Sequence, residues 1–193
     1  KGLNPFVFDS IRADVLYFDK TDSVLYAGNK TGLHLYKDRK KIQHRYASFN
    51  GLSFTDIDKD GQGIFIATTL GDGVFFFNKD TVLNLNEKSG LTDNMCTSLF
   101  MQNDSTVWVS TLNGLNRILY NYSDGEFTGI KIRNFYRNDG LPSNYINDIY
   151  IYGDSVWLAT NIGLAVFNEK DLPSYSYSPK MVIEAFKAND VYR

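Results

Sequence analysis

Short runs of apolar and β-branched residues follow one another along this chain, each cut off by glycine, aspartate or asparagine. One stretch divides into Met95–Gln102, Thr106–Thr111, Gly114–Leu119 and Thr128–Tyr136, with NDS, LN and SDGE between the runs. Val, Ile, Tyr, Phe, Trp and Thr dominate the runs, as in strands, and the breaks carry turn residues. No segment sustains a helical period. The pattern predicts an all-β chain of short antiparallel strands.

The runs also repeat. Gly90–Ile118 reads GLTDNMCTSLFMQNDSTVWVSTLNGLNRI, and Gly140–Phe167 reads GLPSNYINDIYIYGDSVWLATNIGLAVF. The most regular piece is an aromatic residue, a few small or β-branched residues, and a turn ending in glycine. It occurs as YAGNKTGLHLY, FIATTLGDGVFFF, WVSTLNGLNRI and WLATNIGLAVF. The second copy is read with two extra turn residues, Asp72 and Gly73. Gly32, Gly73, Gly114 and Gly163 stand 41, 41 and 49 residues apart, and the insertion YNYSDGEFTG lengthens the last step.

Four short antiparallel strands repeated at this period make a β-propeller blade. A blade buries its two faces only against its neighbours. Tyr26, Phe65, Trp108 and Trp157 are therefore expected on the second strands, filling the space between blades. About four four-stranded antiparallel blades are expected, at approximately residues 1–50, 51–89, 90–139 and 140–175. The last has no clear outer strand. Beyond Pro179, MVIEAFKAND reads as a linker's end and the first strand of another domain, within residues 176–193.

Composition narrows the function classes. Hydrophobic residues make up 43 % of the chain and aromatics 15 %, enough for a core, while the net charge of −2 argues against a general polyanion or nucleic-acid binder. The basic cluster Lys37–Arg45 reads as a solvated hairpin turn. Cys96 is the single cysteine, so no internal disulfide forms, and its apolar neighbours make it a small buried hydrophobe. No apolar stretch approaches the roughly 20 residues that span a bilayer. A chain that starts at Lys1 without Met and shows no signal peptide is expected to be an excised piece.

Up-and-down strands place the loop before strand one and the hairpin between strands two and three on one rim. In the third unit these are GLTDN and TLNG, and in the fourth GLPSN and TNIG. Asn94, Asn113, Ser143, Asn144, Tyr145 and Asn161 are thus candidate ligand residues on that rim, able to hydrogen-bond and stack. Turn chemistry alone also calls for such residues.

Catalytic groups are sparse. The chain has two histidines, His34 and His44, without metal-ligand spacing, and four glutamates, Glu87, Glu126, Glu169 and Glu184, in loops or past the last blade. DIDKDG, from Asp56 to Gly61, begins like a calcium loop, but Ala67 stands where a bidentate Glu belongs, so it reads as a hairpin turn. Asp56 and Asp148 could be argued into a glycosidase-like carboxyl pair, though turn capping explains each more simply. No catalytic residue, metal or cofactor is expected.

The pattern GL-x-x-N…D-x-x-W-x-(A/S)-T-x-x-G-L resembles the two-component regulator propeller repeat, most closely in units three and four. Unit one departs from it, with Tyr26 and AGNK in place of Trp and the small-Thr pair. YSPKMVIEAFKAND resembles the opening strand of the three-tyrosine β-sandwich domain that follows such propellers. The resemblance implies the periplasmic sensor region of a sensor histidine kinase, chiefly of Bacteroidetes, anchored only through the parent protein's transmembrane helix. It also implies an oligosaccharide ligand and signalling through rearrangement of a dimer. An isolated set of four blades exposes two faces and is expected to form a homodimer or to associate edge to edge. Two other classes stay open: a protein-contact scaffold without a small ligand, and a polysaccharide-active propeller enzyme.

Overall fold

A computed structural model describes residues 12–44, 46–171, 187–188 and 191–192. The opening strand expected in MVIEAFKAND lies almost wholly outside the described residues. Only the pairing of Lys187–Ala188 with Val191–Tyr192 is described there.

The repeat becomes four antiparallel sheets in chain order. Blade one holds β1 (Val15–Asp19), β2 (Val24–Asn29), β3 (Gly32–Lys37) and β4 (Lys40–Ile42). Blade two holds β5 (Phe54–Lys59), β6 (Phe65–Thr69), β7 (Gly73–Phe77) and β8 (Val82–Leu85). Blade three holds β9 (Cys96–Asn103), β10 (Thr106–Thr111), β11 (Gly114–Ser123) and β12 (Glu126–Phe135). Blade four has three strands, β13 (Ile146–Tyr152), β14 (Ser155–Thr160) and β15 (Gly163–Asn168). The first strands β1, β5, β9 and β13 lie side by side, each against the next. This is the arrangement of propeller blades around an axis. The insertion in unit three is not a loose loop. It lengthens β11 and β12 as far as an Asp124-Gly125 turn, with both residues at positive φ, as a tight hairpin requires.

Among the described residues the core lies between blades, in three clusters. Tyr26 and Phe65 meet at 4.5 Å between blades one and two. Ile66, Phe76, Val107, Val109 and Tyr120 fill the second space. Trp108, Leu115, Phe135, Ile149 and Leu158 fill the third. Cys96 is buried, and burial pushes its thiol pKa up, which leaves it an unreactive thiol.

One register differs from the sequence reading. Thr69 pairs with Gly73 as Thr111 pairs with Gly114, and the threonine hydroxyl donates to the glycine carbonyl in both. Ile66, not Phe65, therefore stands where Trp108 and Trp157 stand. The hairpin of blade two is one residue longer, and a one-residue shift sends a side chain to the opposite face. Phe65 still packs between blades, but it points back to blade one. Tyr26 and Trp108 point forward and are buried. Trp157 also points forward and remains 39 % exposed, because among the described residues no further blade lies against it.

Candidate functional site

The Gly-Leu-x-x-Asn loops have a structural explanation. Gly90 and Gly140 end short 3-10 turns in the left-handed conformation, and Leu91 and Leu141 drop into the core. The asparagine then closes the loop. Asn94 Oδ1 accepts the Glu87 amide at 2.8 Å, and Asn144 Oδ1 accepts the Arg137 amide at 2.7 Å. The backbone carbonyls of the same residues join neighbouring blades. Asn94 O accepts from the Gly73 amide at 3.0 Å, and Asn144 O accepts from the Gly114 amide at 2.7 Å.

The other candidate rim residues fall into the same scheme. Asn144 Nδ2 donates to Asn113 Oδ1 at 3.2 Å, linking blade four to the hairpin of blade three. Ser143 Oγ donates to Asn161 Oδ1 at 2.7 Å and accepts the Tyr145 amide at 3.0 Å. The Asn161 amide donates to the Tyr145 carbonyl at 3.2 Å. All six residues thus share one rim, but most of their polar atoms hold loops together. The Tyr145 ring is exposed.

What the rim offers to solvent is more apolar than its sequence suggested. Met95 and Tyr145 occupy equivalent positions just before the first strands, and Leu70 and Ile162 lie in the hairpins between second and third strands. All four are exposed. The signal was present as the apolar residue following Asn94 and Asn144, where a turn needs none. A cleft of about 640 Å³ opens on the opposite rim, between the β1–β2 and β5–β6 turns. Lys59 and Asp19 form an ion pair within it.

Near the axis the structure joins residues that sequence reading treated as separate caps. Asp56, Ser98 and Asp148 occupy equivalent positions on β5, β9 and β13. Ser98 Oγ lies 2.7 Å from Asp148 Oδ1 and 3.0 Å from Asp56 Oδ2. One hydroxyl has one proton to give. Each carboxylate oxygen also accepts a backbone amide, Asp56 Oδ2 that of Leu99 at 3.0 Å and Asp148 Oδ1 that of Ile149 at 2.8 Å, so the shorter contact marks Asp148 as the better acceptor. The three side chains tie three inner strands together.

The carboxylates of DIDKDG are divided among different tasks. Asp60 Oδ1 accepts the Gln62 and Ile64 amides, and its Oδ2 accepts the buried Tyr120 hydroxyl at 2.8 Å. Burial raises the pKa of Asp58, and the nearby charge of Asp56 raises it further. Its ionised form is disfavoured in the folded chain, so its own contribution to stability is fully present below the unfolded carboxylate pKa of about 3.9 and is lost as pH rises through the folded value. Asp58→Asn keeps the acceptor for the Lys59 amide and removes the charge. Thermal unfolding should show a higher Tm than wild type at neutral pH, with the gain fading below about pH 4. A gain of equal size at all pH values would refute the charge argument.

No protein-family model matches the chain, and no curated protein matches it in sequence. Solved structures do. PorZ, a surface component of the type-IX secretion system of Porphyromonas gingivalis, superposes with a TM-score of 0.63 at 16 % identity, over 94 % of this chain and 28 % of PorZ. Virginiamycin B lyase of Staphylococcus aureus gives 0.51 at 11 % identity, over 81 % of this chain and 55 % of the lyase. The extracellular domain of BT3049, assigned as a hybrid two-component system of B. thetaiotaomicron, gives 0.47 at 19 % identity, over 82 % of this chain and 28 % of that one. The chain spans little more than a quarter of BT3049 and of PorZ. At these identities the likeness shows the fold alone, and the BT3049 superposition is too loose to argue from.

Proposed function

We propose that these blades belong to the extracytoplasmic ligand-sensing region of a two-component sensor histidine kinase, and that they act by binding rather than by catalysis. Support comes from the two-component regulator propeller repeat that the blade sequence resembles. The observation that carries the reading is the construction of the rim. Asn94 and Asn144 each join one blade's loop to its neighbour's hairpin, so a ligand held there contacts two blades at once. An oligosaccharide fits this rim best, stacking a sugar ring on Tyr145 and hydrogen-bonding at Asn113 and Asn161. Such a ligand shifts a dimer between two arrangements only by its difference in affinity for them.

Calorimetric titration with a panel of purified oligosaccharides tests the reading. Saturable binding by this chain is expected, with Tyr145→Ala weakening it about tenfold, or 1.4 kcal/mol. Silence across the panel, from this chain and from a longer propeller region alike, would reject it. The exposed Leu70, Met95, Tyr145 and Ile162 favour one other reading, a protein-contact scaffold, and that silence would leave it standing.

A further inference from the structure

The second and third interfaces share one design, whereas β5 supplies Ile57 and the ion-paired Lys59 to the first. In the shared design the first strand of the following blade turns two apolar side chains back onto the blade before it. Leu99 and Met101 do so from β9, and Ile149 and Ile151 from β13. In the third interface they meet a cup formed by Phe100, Trp108 and Leu115. Strand pairing identifies the same cup on blade four. Tyr150 pairs with Trp157 as Phe100 pairs with Trp108, and Leu164 follows Gly163 as Leu115 follows Gly114. Here the cup is open: Tyr150 is 59 % exposed and Leu164 72 %. It holds a hollow of about 140 Å³ with Asp148 at its margin. An apolar cavity of about that size accommodates a benzene-sized group.

The complementary half lies at the other end of the chain. Tyr17 pairs with Tyr26 as Phe100 pairs with Trp108, so Leu16 and Phe18 stand where Leu99 and Met101 stand. They point away from blade two and are 64 % and 53 % exposed. We propose that the forward face of blade four is a docking site for blade one of a second copy of this chain, with Leu16 seated in the cup of Tyr150, Trp157 and Leu164. Asp148 then receives the Leu16 amide as Asp56 receives that of Leu99. The contact is head to tail, because the two faces are different surfaces. This inference does not depend on the ligand or on the sensor reading.

The test is light scattering coupled to size-exclusion chromatography on the 193-residue chain. Wild type should run as a dimer or larger at high micromolar concentration. Leu16→Glu and Leu164→Glu should each run as monomers, and both side chains are exposed enough for the substitutions to leave the fold intact, which circular dichroism checks. Mixing the two variants should restore a one-to-one pair, since each keeps the face the other has lost. A monomeric wild type would overturn the proposal and leave a further blade of a longer chain as the occupant. A dimer broken by Leu164→Glu alone would also overturn it, by showing that blade four pairs with itself.

Discussion

Trp108→Ala should destabilise the chain by about 3–5 kcal/mol, the usual cost of removing a large buried aromatic. The ring is fully buried, stacks on Phe135 at 5.7 Å and carries the Arg117 guanidinium over its face at 5.6 Å. Its indole N–H donates to Gln102 Oε1 at 3.0 Å, and Gln102 in turn donates to Glu169 at 2.6 Å. Glu169 also receives Arg117 at 2.9 Å. The substitution therefore opens a cavity and unties a polar chain that crosses from blade three to blade four. Trp157→Ala, the same residue in the same motif one blade later, should cost the monomer, at low protein concentration, about 1 kcal/mol or less, because within one chain the ring lacks a covering blade. Denaturant unfolding of the two variants side by side measures the contrast. Equal losses would mean that Trp108 contributes through its own sheet and not through the interface.

Gly73→Ala should cost about 2–4 kcal/mol, from two separable causes. The residue has φ +79, where an L side chain is strained, and an added Cβ would lie 2.2 Å from the Leu85 carbonyl oxygen. That oxygen belongs to the end of β8, so β7 and β8 would have to separate and the Gly73 bond to Asn94 would be lost. Gly71→Ala is the control. It also has positive φ, but an added Cβ there meets nothing within 4 Å, so it should show only the conformational part, about 1–2 kcal/mol. Equal effects at the two positions would exclude the steric contribution.

These two positions also show what the sequence could reveal. The spacing of Gly32, Gly73, Gly114 and Gly163 was visible, and the period identified the blades. All four have the positive φ of a hairpin turn; what the spacing did not show is a second constraint, contact with backbone at or beyond the end of the outer strand. In the first three blades an added Cβ would strike a backbone carbonyl, from Phe49, Leu85 or Phe135. At Gly163 it would meet nothing within 4 Å. Phe65 misled because aromatic character suggested an equivalence that the longer hairpin shifts by one residue. The rim asparagines were legible as polar loop residues. An amide that binds a ligand and one that closes a loop read alike in sequence, and only hydrogen-bond geometry separates Asn94 and Asn144 from the exposed Tyr145. Asp56 and Asp148 could be weighed as a pair from sequence, but Ser98 between them could not, since the contact joins three strands far apart in the chain.

Among the described residues the core is divided among three interfaces between blades. Cooperativity is therefore nearest-neighbour, as in a linear array whose units each borrow stability from the next. Among the described residues blades two and three are held on both sides, and blades one and four on one. Opening should begin at the two end blades and travel inward, so that amide exchange is fastest toward both ends of the row, with β6 and β10 the last to yield their protons.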